Sequence, residues 1–378
     1  MTKNIYLDYS ATAPLRTSVG QAMKPFWDDQ FGNPSSVHSY GRAALDATDA
    51  ARRQIATLLD CLSSEIVFTG SGTEADNLAI IGLASGLPKG HIVTTAIEHK
   101  AVLESCRYLE KWGWQVSYIK PNRQGVVTAK SILDAIQENT RLVSVMYANN
   151  EIGTIQPIRE IGKGIQKLNR DRKLRIWFHT DGVQAGSLLP LGTKHLHVDM
   201  LTLSAHKLGG PKGVGLLFAT TGIPLRPIIH GGGQESNRRS GTLNVAGIVG
   251  MAAALAECQK TSLKEAARLQ KLQTILKEAV TKIAGVEING SLTDRLASNL
   301  NFSWRGKSSD ELVIALDRQG IAVSAASACS SGSIQSSYVI EAMGLPEWRS
   351  NSTLRVSMGY KTTVAEIKSF VSALRKLT

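Results

Sequence analysis

The residues able to do chemistry fall in a few short segments. GSGTEADN, Gly70 to Asn77, directly follows the apolar run EIVFT. Its glycines would let backbone amides approach a phosphate, and Thr73 would cap the next helix and offer its hydroxyl. Gly70, Gly72 and Ala75 also satisfy the dinucleotide pattern G-x-G-x-x-A, so this segment alone leaves two phosphate ligands open. HTDGVQ puts Asp181 at the end of RIWFHT, where a carboxylate is costly unless a cation offsets it. A protonated pyridine nitrogen is one such cation, and a basic side chain is another. LTLSAHKLGGPKG closes an apolar run with Ser204, His206 and Lys207, and a lysine so placed can form an imine with an aldehyde. One coenzyme uses all three partners at once, pyridoxal phosphate, whereas a dinucleotide accounts only for the first.

The cysteines add a nucleophile. Cys61, Cys106, Cys258 and Cys329 have no paired spacing that would suggest a zinc site or a disulfide framework. Cys106 and Cys258 sit in helix-like segments, where a free cysteine serves as a small apolar group. Cys329 stands apart in SAASACSSGS, among small residues that bury it poorly, and its thiolate would be the reactive form.

The elements that must position these groups follow from periodicity. EIVFT (65–69), HIVTTAI (91–97), QVSYIK (115–120), LVSVMYA (142–148), RIWFHT (175–180), DMLTLS (199–204) and VGLLFA (214–219) read as strands. Stretches of 3.6 period such as EADNLAIIGLAS and KAVLESCRYLEKW lie between several of them. Apolar strands joined by helices predict a mostly parallel sheet covered on both faces, with ligands at the carboxyl ends of its strands. After about residue 250 the pattern changes to a long helix over 262–284, strand LNFSW, helix SSDELVIALDRQ, strand IAVS and a last helix opening with Thr363 and Glu366 in capping-box spacing. The expectation is a large cofactor-binding domain over 15–255, and a small α+β domain formed by 1–14 and 256–378.

Bulk properties narrow the class. The 378 residues are 43% hydrophobic and 20% charged, as in ordinary globular proteins. No apolar run reaches the roughly 20 residues of a membrane span, and the opening MTKNIYLDYSATAP has neither a signal nor a transit pattern, so the cytoplasm is expected. The net charge of +12 is spread along the chain, and its densest cluster, KLNRDRKLR, reads first as a solvated helix end. A contact with tRNA or an acidic protein is the alternative there, and nucleic acid is not the expected partner.

At this point the segments resemble a known group. Lys207 in SAHKLGGPKG, Asp181 and Gln184 in HTDGVQ, and Asn150 in NNEIG resemble class V aminotransferase-fold enzymes, and more narrowly cysteine desulfurases of the nitrogen-fixation and iron–sulfur-cluster types. YLDYSATAP, FGNPSS, EHKAV, HGGGQESNRRSGT, SACSSGS and LRVSMGY recur in the family's order over nearly the whole chain. The resemblance implies pyridoxal-phosphate fold type I, with a mostly parallel seven-stranded sheet in the large domain and the cysteine loop in the small one. It implies that Lys207 binds the coenzyme's aldehyde, Asp181 pairs with the ring nitrogen, and His99 stacks on the ring and serves in acid–base steps. Gln184 and Asn150 would contact the phenolic oxygen or its surroundings, while Gly72, Thr73, Ser204 and His206 hold the phosphate. Thr242, in RSGT, would reach the phosphate site of the other subunit of a homodimer. Arg355 would clamp the carboxylate of L-cysteine with help from Asn33.

The implied activity converts L-cysteine to L-alanine, with the sulfur held as a persulfide on Cys329 for a scaffold or carrier protein of iron–sulfur cluster assembly or another acceptor. Two departures from the family pattern stand out: GSGTE for the commoner SGATE, and SAASAC for SSGSAC. A selenocysteine lyase or another class V enzyme is the nearest alternative, with a NAD-dependent dehydrogenase behind it.

Overall fold

The computed structural model describes residues 4–325 and 336–377. The chain opens with a two-residue strand, β1 (Ile5–Tyr6). All seven expected apolar runs then form strands of a single sheet: β2 (Ile66–Thr69), β3 (His91–Thr95), β4 (Gln115–Ile119), β5 (Thr140–Ser144), β6 (Trp177–Asp181), β7 (Met200–Ser204) and β8 (Gly215–Ala219). Their order is β2-β8-β7-β6-β5-β3-β4. Strands β4, β3, β5, β6 and β7 are parallel, while β8 runs antiparallel to both β7 and β2. Two reversals cancel, so β2 points the same way as β7. The carboxyl ends of β2, β3, β5, β6 and β7 therefore all open on one edge of the sheet.

The central strands β6, β7 and β8 are buried at every residue, as strands covered on both faces must be. The covering helices show why they dock. In Ile158–Asn169, Ile158, Ile161 and Ile165 recur at helical spacing and are buried against Phe178 and other sheet residues. One core layer, with Ile55, Phe178 and Met251, lies on one side of the sheet, and a second, with Leu78, Ile92 and Val102, lies on the other.

A second lobe carries the antiparallel sheet β12-β10-β9, made of β9 (Val286–Asn289), β10 (Asn299–Trp304) and β12 (Thr353–Ser357). Strand β11 (Ile321–Ala322) pairs in parallel with β1, which brings the amino-terminal segment into this lobe. Its own core surrounds Phe302, Leu354 and Phe370. The expected long helix begins well before residue 262 and spans Val245–Val280. Its first half is buried nearly all round, from Val245 to Cys258, so no amphipathic stripe marks it in the sequence. The last helix, Val364–Arg375, has the expected capping box of Thr363 and Glu366. No helix among the described residues is long and apolar enough to cross a membrane.

Candidate active site

Five strand ends converge on one cavity of about 600 Å³. From β2 comes the turn Gly70–Thr73, from β3 the segment leading to His99, and from β5 the stretch through Met146 to Asn150. Strand β6 ends on Asp181, followed by Gln184, and β7 ends on Ser204, followed by His206 and Lys207. The other lobe adds Arg355 from the middle of β12.

Each residue is held by local geometry. Ser71, not Thr73 as expected, caps the helix Gly72–Asn77, its hydroxyl accepting Glu74 N–H at 3.1 Å. The helix starts two residues earlier than the sequence suggested, so Thr73 lies inside its first turn, lining the cavity. A Cβ on Gly72 would sit 3.2 Å from the Ser204 Cβ and 3.0 Å from Val183, so only glycine leaves this corner open. A Cβ on Gly215 would come within 2.5 Å of the Ser71 backbone, so β8 also needs glycine where the turn passes it. Lys207 Nζ donates to the carbonyls of Ser10 at 2.5 Å and Ala11 at 2.7 Å, which aim the half-buried amine into the cavity. Gln184 Nε2 donates to Ser10 O at 3.1 Å.

Asp181 is buried, and Tyr147 N–H donates to its carbonyl at 2.8 Å while Val183 N–H donates to its Oδ1 at 2.9 Å. Burial pushes its carboxyl up; His99, the Val183 N–H and Lys207 pull it back. Asp76 shares the cavity floor, and burial followed by the charge of Asp181 raises its carboxyl well above the usual range. Two adjacent buried carboxylates cannot both ionise cheaply, and Asp181 has the cationic neighbours. Of the two, Asp181 is the better placed to carry a negative charge, with His99 and Lys207 opposing the effect of burial. His206 is pushed down to about 4 by burial, then by Lys207 and Lys212, so its ring is neutral at pH 7; its Nδ1 lies 3.1 Å from the Thr12 hydroxyl.

Arg355 is 4% exposed. Its Nη2 pairs with Asp8 Oδ1 at 2.9 Å and its Nη1 donates to Asn150 O at 3.0 Å. Its Nε and the Asn150 Oδ1 are buried without a hydrogen-bond partner among the described residues. A buried donor and a buried acceptor left open in one cavity are costly unless a ligand completes them.

These features fit pyridoxal phosphate. The floor offers a carboxyl group for a ring nitrogen, an amine is aimed at the space above it, and a glycine-cleared turn at a helix start faces a neutral histidine and a serine suited to a phosphate. The open Arg355 Nε suits a carboxylate. The turn that also matches the dinucleotide pattern shares its cavity with Lys207 and Asp181, groups for which a dinucleotide has no use.

Two expected site residues do not line this cavity. Asn33 is exposed, and its Oδ1 accepts Ser35 N–H at 3.0 Å, closing its own turn. Thr242 is exposed on the segment after β8. That segment is fastened by Arg239 Nε to Glu74 Oε1 at 2.8 Å, and by Glu235 to Arg52 at 2.5 Å and to Phe68 N–H at 2.7 Å. Cys329 lies outside the described residues.

The sequence reading also missed participants. Asp8 has no chemistry-bearing pattern around it in YLDYSATAP, and the carbonyls of Ser10 and Ala11 carry no side-chain signal. Asp76 follows the recognised turn by three residues, and the four-residue spacing from Gly72 was the available clue to its facing the same space.

The class-V aminotransferase family matches residues 5–370. A Dictyoglomus turgidum protein named cysteine desulfurase IscS is 42% identical over 380 residues, covering 100% of this chain and 95% of that protein. Among solved structures, a NifS-like protein superposes with a TM-score of 0.93 at 34% identity over 99% of both chains. SspA in complex with cysteine superposes with a TM-score of 0.82 at 36% identity, over 94% of this chain and 98% of that one.

Proposed function

The chain belongs to the class-V aminotransferase family and is a pyridoxal-phosphate-dependent cysteine desulfurase, and we propose that its sulfur product is a persulfide on Cys329. The observation that carries this reading is the meeting of Lys207, Asp181 and Arg355 in one cavity of a chain that matches such enzymes from end to end.

The reaction balances without an external oxidant. L-Cysteine and the Cys329 thiol give L-alanine and Cys329–S–SH: the carbon–sulfur bond of the substrate breaks, a sulfur–sulfur bond forms, and a proton replaces sulfur on the substrate's β-carbon. Bound pyridoxal phosphate supplies an aldehyde for amines and a ring that delocalises the electron pair left at the substrate's α-carbon. Lys207 would hold the coenzyme through its aldehyde, and its amine would take the α-proton. Asp181 would pair with the ring nitrogen. His99, at the head of the helix Lys100–Lys111, would stack on the ring and serve as acid or base for the departing groups. Gly72, Thr73, Ser204 and His206 would hold the phosphate, and Gln184 and Asn150 would contact the phenolic oxygen or its surroundings. Arg355 would take the substrate carboxylate; Asn33, whose Oδ1 accepts Ser35 N–H, does not line the cavity, and its amide Nδ2 is the group that would assist. The Cys329 thiolate attacks the substrate sulfur.

We extend the reading to the assembly. A homodimer in which Thr242 completes the partner's phosphate site fits its exposed position on a segment fastened at two points. A sulfur-accepting protein and a cytoplasmic setting belong to the same proposal. So does the division into a large domain over 15–255 and a small one of 1–14 and 256–378, supported by the pairing of β1 with β11.

The test is to incubate the purified holoenzyme with L-cysteine and map the added sulfur by mass spectrometry. One extra sulfur atom on the Cys329 peptide, with alanine released in equal amount, is expected. A Cys329→Ala chain that releases alanine at the wild-type rate would overturn the reading.

A further inference from the structure

One buried acid beside the cavity has no part in the chemistry above. Glu151 is 1% exposed on the turn Asn149–Gly153, next to the cavity residue Asn150. Its Oε2 accepts the hydroxyl proton of Ser337 at 2.6 Å. The same Ser337 oxygen accepts Ile340 N–H at 3.2 Å and so caps the helix Tyr338–Ala342. Burial pushes the Glu151 carboxyl up, and the Ser337 hydroxyl is the largest influence opposing that, ahead of Arg355, Lys100 and His99.

The bond sits in an apolar seat built from two sides. Ile97, Met146 and Ile152 come from the cavity wall, and Val339, Ile340 and Met343 from the helix after Ser337. Each wall member is tied to the site: Met146 lines the cavity, Ile97 precedes His99 by two residues, and Ile152 follows Asn150 by two. The turn is itself rigid, because Asn149 Oδ1 accepts both Glu151 N–H at 2.9 Å and Ile152 N–H at 3.0 Å, and its Nδ2 donates to Ile97 O at 2.8 Å. Tyr338 O–H donates to Glu98 O at 2.8 Å. On the far side in sequence, Ser324 exchanges backbone hydrogen bonds with Arg355, at 2.8 and 3.3 Å. Cys329 falls between Ser324 and Ser337 in the chain.

A buried carboxylate adds little stability where apolar contacts already dock a helix, but it fixes direction. We propose that Glu151 is a positioning residue for sulfur transfer, its bond to Ser337 seating the head of the helix Tyr338–Ala342 on the same turn that presents Asn150 to the cavity. The inference rests on Cys329 being the sulfur acceptor. Glu151 touches neither substrate nor coenzyme; it acts through the register between the two halves of the reaction.

The experiment uses the holoenzyme with Glu151→Ala, Glu151→Gln, Ser337→Ala and the Glu151→Ala/Ser337→Ala pair. In Glu151→Ala and Ser337→Ala the rate of persulfide formation on Cys329 should fall by about 10–100-fold, as loss of register does elsewhere. The affinity for L-alanine, read from the change in visible absorption, should stay within about twofold, and KM for cysteine should hold while kcat falls. Glu151→Gln keeps an acceptor for Ser337 and should recover most of the rate, and the double variant should be no slower than either single one. A wild-type persulfide rate in Ser337→Ala, which leaves the buried acid in place, would overturn the proposal even if Glu151→Ala failed to fold. So would a parallel loss of L-alanine binding, which would put Glu151 in the cavity chemistry. If the wild-type chain itself gains no sulfur at Cys329, the proposed function fails first, and that outcome is distinct from the others.

Discussion

On the floor of the cavity every working side chain stands at or just beyond a strand's carboxyl end: Asp181 closes β6, Ser204 closes β7, and His206 and Lys207 follow at once. On the rim the proposed substrate clamp comes from the other lobe, where Arg355 is the middle residue of β12 and its partners are Asp8 and Asn150, both more than two hundred residues away in sequence. The floor is fixed by a rigid parallel sheet, and its groups need only the right residue type after an apolar run. The rim is fixed by docking one lobe on another, through pairings such as β1 with β11 and Ser324 with Arg355. Chemistry is therefore concentrated on the rigid part, while recognition of the substrate and delivery of sulfur depend on where the second lobe sits.

Substitutions on the floor should separate from those on the rim, and the largest expected effect tests the floor. Lys207→Ala removes the amine proposed to bind the coenzyme's aldehyde and to take the substrate's α-proton. Alanine release should fall by about 10³-fold or more, and the purified protein should lose its visible absorption, since covalent and acid–base contributions go together. Turnover within a few-fold of wild type would break the division at its base.

Asp181→Asn keeps the shape of the floor but replaces its acid with a neutral amide. Loss of a preorganised charge of this kind costs about 10²–10³-fold in kcat, with KM for cysteine little changed. Steady-state kinetics decide it. A rise in KM with kcat intact would move Asp181 from the chemistry to the binding step.

Arg355→Lys tests the rim. An ammonium preserves the charge but not the fork that serves Asp8, Asn150 O and a carboxylate together. KM for cysteine should rise about 10–100-fold while kcat changes by only a few-fold, and the affinity for L-alanine should fall in parallel. Equal losses in kcat would mean that Arg355 also aligns the reacting atoms, and the contrast between floor and rim would narrow.

The same contrast explains what was legible in the sequence. The strands of the large sheet are apolar runs with polar stops, so EIVFT, RIWFHT and DMLTLS announced themselves along with the residues after them. Strand β12 did not, because TLRVS is short and buries a charged residue at its centre, a pattern that reads as a loop until Asp8 and Asn150 O are seen to satisfy the guanidinium. Arg355 was reached only through a family resemblance in LRVSMGY. The early start of the helix Val245–Val280 was hidden for the opposite reason, since a segment buried on all sides has no periodicity to detect. Asn33 shows what a motif leaves open: its neighbours match, its Oδ1 accepts Ser35 N–H, and it does not line the cavity of this chain.

The smallest expected effect concerns a residue between floor and rim. Glu98 is fully buried, its Oε1 accepting the Thr95 hydroxyl at 2.7 Å and Met146 N–H at 2.9 Å, while Oε2 has no partner among the described residues. Burial raises its carboxyl from 4.5 to about 8, against those two hydrogen bonds, with the charge of Asp181 adding to the rise. The folded chain therefore holds a proton that the unfolded chain releases above pH 4.5. Stability from this group is fully present below pH 4.5 and declines as pH rises to about 8, by roughly 1.4 kcal/mol per unit at most. Glu98→Gln imitates the neutral acid and cannot titrate, so it should equal wild type in urea unfolding at pH 5 and exceed it by on the order of 1–3 kcal/mol at pH 8.5. The coenzyme-free proteins should be compared, so that changes in cofactor binding do not enter. A difference that stays constant with pH would show that Glu98 is ionised in the fold. A second charge would then stand near Asp181, and the electrostatic contrast between floor and rim would narrow.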